Sequence, residues 1–202
     1  MQSKEMLGHR ILFLSEQVSA ESANVLVAGL LLLDADDHEA QIDLYVNSPG
    51  GSTSDGLAII DVMNCITAPV STICVGMAAS MAALILAAGA PGRRLITPNA
   101  EAMIHQSSAG ISGSTSDIRL FTDRMVRHQE HIERLLAGWT GRPVEKVRED
   151  MKVDHWMSAQ ESVEYGLVDA IVEPVGKAGA ADAGAMDAGA IDAGAADVVG
   201  PA

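Results

Sequence analysis

Residues 62 to 92 contain no Asp, Glu, Lys or Arg. An uncharged run of this length belongs in a bilayer or in a protein core. A membrane span does not fit it. Asn64, Thr67, Pro69, Ser71, Thr72, Gly76 and Ser80 interrupt the stretch, and its pattern changes from helix to strand to helix. A β-branched run at 70–75 gives way, through Gly76-Met77-Ala78-Ala79-Ser80-Met81-Ala82-Ala83, to an apolar run at 84–88. A fully buried parallel strand followed by a buried helix explains this pattern. Ser80 then sits on a sharp strand-to-helix turn. Such a serine is either a helix N-cap or a nucleophile projecting from a rigid scaffold.

The rest of the chain alternates in the same way. Strand-like runs lie at 10–14, 41–46, 70–75, 94–96 and 102–106. Helical spacing appears at 22–33, 53–66, 80–88 and, in a long amphipathic run rich in Arg, His and Glu, at 116–138. A shorter helix starts at Pro143, a residue favoured in a first turn. The last runs from a capping box, Ser158 to Glu161, as far as Gly166. Strands alternating with helices predict an α/β fold with a largely parallel sheet.

Residues 177–202 follow other rules. Ala181-Asp182-Ala183-Gly184-Ala185 is followed by Met186-Asp187-Ala188-Gly189-Ala190 and Ile191-Asp192-Ala193-Gly194-Ala195. A five-residue period with a glycine in every unit suits neither a helix face nor a packed strand. The expectation is a folded domain over 1–176 and a disordered Ala/Asp/Gly-repeat tail over 177–202.

The net charge of −14 opposes sequence-independent nucleic-acid binding, which needs a basic surface. Met1-Gln2-Ser3-Lys4-Glu5 has no apolar core of a signal peptide. Cys65 and Cys74 both stand in apolar surroundings without metal-ligand spacing. They read as buried, reduced thiols of a cytoplasmic protein.

Serine-based amide hydrolysis needs a base, a carboxylate to hold that base in the right tautomer, and donors for the developing oxyanion. His105 ends a strand-like run, and Asp154 precedes the last helix. Gly50 and Gly51 follow another strand and allow close backbone approach. The N–H groups of Gly51 and Met81 are the candidate oxyanion donors. The bland alternatives are an ordinary Gly-Gly turn, a core histidine and a surface aspartate.

Taken together, these segments resemble the proteolytic subunit family of the ATP-dependent Clp proteases, from about Leu7 to Val175. The motifs that carry the resemblance are Arg10 to Leu14, Tyr45-Val46-Asn47-Ser48-Pro49-Gly50-Gly51, Ser71 to Met81, Pro98-Asn99, Met103-Ile104-His105-Gln106, Thr140-Gly141, Met157-Ser158-Ala159 and Glu164 to Asp169. The resemblance implies the ClpP/crotonase-type ββα spiral with a protruding handle helix around 116–138. It implies a serine endopeptidase with Ser80 as nucleophile, His105 as base, Asp154 as third member, and Gly51 and Met81 as oxyanion donors. Gly110, Ile111 and Ser112 would line the substrate groove, where an unfolded peptide pairs its backbone with little sequence preference. No cofactor and no metal are implied. The implied partners are copies of the chain in heptameric rings, stacked as a tetradecamer or mixed with a paralogue, and a Clp ATPase chaperone. Neither nucleic acid nor membrane is implied.

The chain departs from the family pattern at several points. It starts after the segment that forms axial pore loops. Asp43 and Cys65 stand where the ATPase-docking cleft tends to carry Tyr and Phe. His155 replaces an Arg after the third triad member, Met77 a Gln, and Ser107 a Pro beside the base. His155 paired with Asp117 across a ring interface would make ring stacking pH-sensitive. The departures at the pore and docking cleft suggest an alternative role, a ring-completing paralogue in a mixed assembly with weak or no activity alone. A crotonase-type acyl-CoA enzyme shares the fold but has no use for a Ser-His-Asp set. A Ser-Lys peptidase needs a lysine base, and Lys4, Lys146, Lys152 and Lys177 lie in no matching motif.

Overall fold

The alternation of strands and helices is what the chain builds. The computed structural model describes residues 4–108 and 110–172. The elements in chain order are α1 (Lys4–Gly8), β1 (Ile11–Leu14), α2 (Ala20–Asp36), β2 (Ile42–Ser48), α3 (Thr53–Cys65), β3 (Val70–Ala79) and α4 (Met81–Ala87). They continue with β4 (Arg94–Ile96), β5 (Glu101–Ile104), α5 (Thr115–Thr140), α6 (Val144–Asp150), β6 (His155–Ser158), α7 (Ala159–Tyr165) and β7 (Ala170–Ile171). The short α1, β6 and β7 were not evident in the sequence. Their runs are too brief for a periodicity to register. The expected boundary at residue 176 and the repeat tail lie outside the described residues.

One seven-stranded sheet runs β1-β2-β3-β4-β7, with β5 also on β3 and β6 on β5. All pairings are parallel except β5 with β6. β3 is the longest strand and serves two neighbours in succession. Thr72 to Cys74 pair with β4, and Met77 to Ala79 pair with β5. Between these halves the register against β2 slips, with Val46 opposite Cys74 and Ser48 opposite Ala78. Two steps along β2 thus span four along β3. This bulge, with Gly76 at φ 78°, turns the end of β3 away from β4 toward β5.

The strand and helix inside the uncharged run form buried core, as the sequence predicts. Residues 70–74 are all buried, and so is every residue of α4. α4 packs on β2, β3 and β5 and touches α3 and α5. Thr72, inside this core, donates from its hydroxyl to the Leu86 carbonyl at 2.7 Å, which keeps the buried polar atom satisfied. No helix among the described residues is long and apolar enough to cross a membrane. Cys74 is buried, and burial, with the Glu101 charge beside it, pushes its thiol up to about 12. Cys65 corrects the expectation of two buried thiols, because it is exposed as the last residue of α3. A helix end turns its side chains to solvent even within an apolar stretch.

Capping sets the helix limits. Ser19 with Ser22, Ser114 with Asp117 and Ser158 with Glu161 form capping boxes at α2, α5 and α7. Gly141 and Gly166 end α5 and α7 in the left-handed conformation. The first half of α5 projects from the body, leaving Ile118, Leu120 and Val126 exposed, while Ile132, Glu133 and Leu136 near its other end are buried.

Arg94 ties three chain segments together. It bonds Asp169 from its backbone N–H (2.9 Å), Nε (3.0 Å) and Nη2 (2.5 Å). Its Nη1 donates to the carbonyls of Trp139 (2.9 Å) and Gly166 (3.1 Å). Burial pushes the Asp169 carboxyl up, but the Arg94 bonds and charge outweigh it and hold the group below its ordinary value of 3.8. A carboxyl held low in the folded state adds stability above its unfolded value, and that stability is lost as pH falls through the folded value. Asp169→Asn should therefore destabilise the protein by about 3 kcal/mol in urea unfolding at pH 7. The difference from wild type should shrink as pH falls below 3.8. A constant difference across that range would contradict the pairing.

Candidate active site

Three strand ends and one turn converge at the carboxyl edge of the sheet. β3 pairs Ala79 with Met103 of β5, so Ser80 emerges one residue later. The Ser80 N–H donates to the Met103 carbonyl at 2.8 Å. β5 runs on to Ile104, and His105 follows it. β6 returns antiparallel with His155 opposite Ile104, which sets Asp154 beside His105. Strand register alone thus brings together three residues that are 25 and 49 positions apart.

The side chains complete the arrangement. His105 Nε2 lies 2.9 Å from Ser80 Oγ, and His105 Nδ1 lies 3.0 Å from Asp154 Oδ1. A carboxylate only accepts, so Nδ1 carries the proton toward Asp154 and Nε2 accepts from the serine hydroxyl. The His105 side chain is 27% exposed and that of Asp154 63%. The ring is sheltered while the carboxylate faces outward. Neither is a satisfied core group.

Ser80 adopts φ 55° and ψ −122°. A positive φ is unusual for a residue with a side chain and costs on the order of 1–3 kcal/mol. Ser80 occupies the N-cap position of α4, yet its side chain makes no cap bond. The hydroxyl is free for the imidazole, which removes the capping alternative left open by the sequence.

Gly50 and Gly51 press against this turn. A Cβ on Gly50, at φ 88°, would lie 2.5 Å from the Ala79 carbonyl oxygen and 2.8 Å from the Met81 nitrogen. A Cβ on Gly51 would lie 2.2 Å from the Val18 carbonyl oxygen. Val18 bridges to the loop on either side of Gly51, donating to the Gly50 carbonyl (2.8 Å) and accepting from the Ser52 N–H (2.9 Å). Among the described residues the N–H groups of Gly51 and Met81 meet no protein acceptor. The Gly50–Gly51 loop thus lies against the Met81 amide. Both amides stay available for a ligand.

A cleft of about 360 Å³ opens at this point, lined by Gln17, Pro49, Gly50, Gly51, Thr53, Ser80, Met103, His105, Ser107 and Ser108. Gly110, Ile111 and Ser112 are exposed and do not line it. The close approach expected of Gly50 and Gly51 is present. Gln17, which lines the cleft, was missed in the sequence, because a lone loop glutamine signals nothing. Among the described residues no group of three or more His, Cys, Asp or Glu is placed to hold a metal ion.

A family model described as Clp protease matches residues 1–175. The chain belongs to the Clp protease family. Membership gives it a peptidase function and assigns the mixed sheet to the ClpP-type α/β fold, with α5 as the handle. In this Clp protease, His155 and Asp117 have separate partners within the chain. His155 packs against the Tyr165 ring at 5.6 Å between centroids. Asp117 accepts from the Ser114 N–H and hydroxyl at the start of α5.

Gly50→Ala should reduce peptidase activity by at least about tenfold, because its Cβ must displace the Ser80–Met81 turn. Steady-state peptide cleavage beside a thermal melt measures this. Wild-type activity in a folded Gly50→Ala variant would contradict the close approach.

Proposed function

We propose that this Clp protease is a serine endopeptidase that cleaves unfolded proteins or peptides inside an oligomeric ring chamber. The observation that carries the reading is the hydrogen-bonded series Ser80, His105 and Asp154, with bonds of 2.9 and 3.0 Å. Ser80 Oγ attacks the scissile carbonyl while His105 Nε2 takes its proton. Asp154 holds the imidazole by Nδ1–H and stabilises the imidazolium that forms. The Gly51 and Met81 amides receive the oxyanion. His105 then returns the proton to the leaving amine, and water resolves the acyl-enzyme by the same route. Gly110, Ile111 and Ser112 offer exposed backbone along which an extended peptide would lie. Copies of the chain would form the chamber in heptameric rings, and the exposed apolar side chains of the first half of α5 suit ring-to-ring contact.

A second reading, a ring-completing paralogue, draws on the position of Asp43. Gln41 Nε2 donates to the Asp43 carboxylate at 2.5 Å, and Arg93 donates to Gln41 Oε1. Cys65 is exposed. A polar group of this kind is a poor match for an aromatic docking cleft. A chain with this role would co-purify with a second ring subunit and be inactive alone.

Cleavage of short fluorogenic peptides by the purified chain, beside its native mass, tests both readings. Ser80→Ala should lower turnover by a factor on the order of 10⁶. Full activity in that variant would overturn the nucleophile assignment. Inactivity of the wild type alone, restored by a second ring subunit, would favour the paralogue.

A further inference from the structure

The loop that follows His105 is held from two sides. The Gln106 N–H donates to the Met151 carbonyl at 2.7 Å, at the end of α6. The Ser107 N–H donates to Gln129 Oε1 on α5 at 3.0 Å. Gln129 is itself oriented. Its Nε2 donates to Glu133 Oε1 at 3.1 Å, one helical turn on. Glu133 is 3% exposed, and its other oxygen accepts from Arg148 Nε of α6 at 2.8 Å.

The chemistry of these groups gives the series a direction. A carboxylate has no proton to donate, so Glu133 accepts only from the NH₂ end of the Gln129 amide. The carbonyl end must then face the Ser107 N–H. Arg148 neutralises Glu133 and keeps a buried carboxylate in place. The amide of Gln129 cannot flip without setting two acceptors against each other and leaving Ser107 unbonded. A cavity of about 520 Å³ lies beside the series, lined in part by Gln106, Ser107, Gln129, Glu133 and Arg148. The loop therefore has room to move on this side if the Gln129 bond is lost.

We infer that Gln129 is a positioning residue for His105, acting through the Ser107 N–H and held in its working orientation by Glu133 and Arg148. This inference rests on the reading of Ser80, His105 and Asp154 as the reacting set. His105 makes its side-chain bonds only outward, to Ser80 and Asp154, so its own placement depends on the backbone on either side of it. β5 fixes the residues before it. Gln129 and Met151 fix the residues after it. The handle helix and the reacting histidine are thereby coupled through one amide side chain.

The test is a cycle on the full chain, read by the rate at which a small fluorophosphonate labels Ser80 and by kcat and KM for a short peptide. Gln129→Ala and the volume-matched Gln129→Met should each lower labelling rate and kcat by about tenfold to a hundredfold. KM should stay within about twofold, since the cleft that binds peptide is retained. Melting temperature and native mass report folding and assembly. Ser107→Pro, which puts the family's usual residue beside the base, removes the N–H that Gln129 accepts from but stiffens the loop in place of that bond, so the rate should stay within about threefold of wild type. Adding Gln129→Ala to Ser107→Pro should then lower it no further. Wild-type labelling in folded Gln129→Ala and Gln129→Met, or a Gln129→Ala loss that persists in full when Ser107→Pro is already present, would overturn the inference while leaving the site assignment intact. A wild type that the probe does not label at Ser80 would instead overturn the site assignment, and the inference with it.

Discussion

The hydrogen-bonded register of three strands, β3 to β5 to β6, is the constraint on which the rest depends. Ala79 opposite Met103 and Ile104 opposite His155 set the side chains of Ser80, His105 and Asp154 at the same edge. A slip of one residue in either pairing would turn the affected side chain to the opposite face of the sheet. The bulge in β3 makes the arrangement possible. It lets a single strand pair first with β4 and then with β5, so that the strand carrying Ser80 meets the strand leading to His105.

Burial gives this register its rigidity. α4 is enclosed on all sides and follows Ser80 directly. A buried helix cannot rotate to relieve the positive φ at the turn before it, so the strain at Ser80 persists in the folded state. The Gly50–Gly51 loop closes on the same turn from β2, leaving no space for a side chain. On the outer side the Asp154 carboxylate faces solvent, and the amides of Gly51 and Met81 meet no acceptor among the described residues.

The long helix α5 has two characters. Its first half extends with apolar side chains toward solvent, and its second half is anchored by Ile132, Glu133 and Leu136. The anchored half also reaches back to the loop after His105 through Gln129.

Much of this was legible in the sequence. The uncharged run at 62–92 required a buried strand and helix, the alternation of elements required a layered α/β fold, and Ser158 to Glu161 marked a helix start. Ser80, His105 and Asp154 could be nominated because their residue types suit acyl transfer and their motifs resemble those of the Clp family. Cys65 shows the limit of local reading, since an apolar neighbourhood along the chain did not predict an exposed helix end. Gln129 and Gln17 show another, because a single polar residue has no periodicity and no motif. What the sequence by itself determined is the set of elements and the chemistry available, since both follow from local patterns of burial and residue type. Only the tertiary structure decided that the hydroxyl of Ser80 meets the imidazole of His105 rather than capping α4, and that Gln129 faces Ser107. Those contacts depend on strand register and helix placement between segments far apart in the chain, and no local pattern encodes such distances.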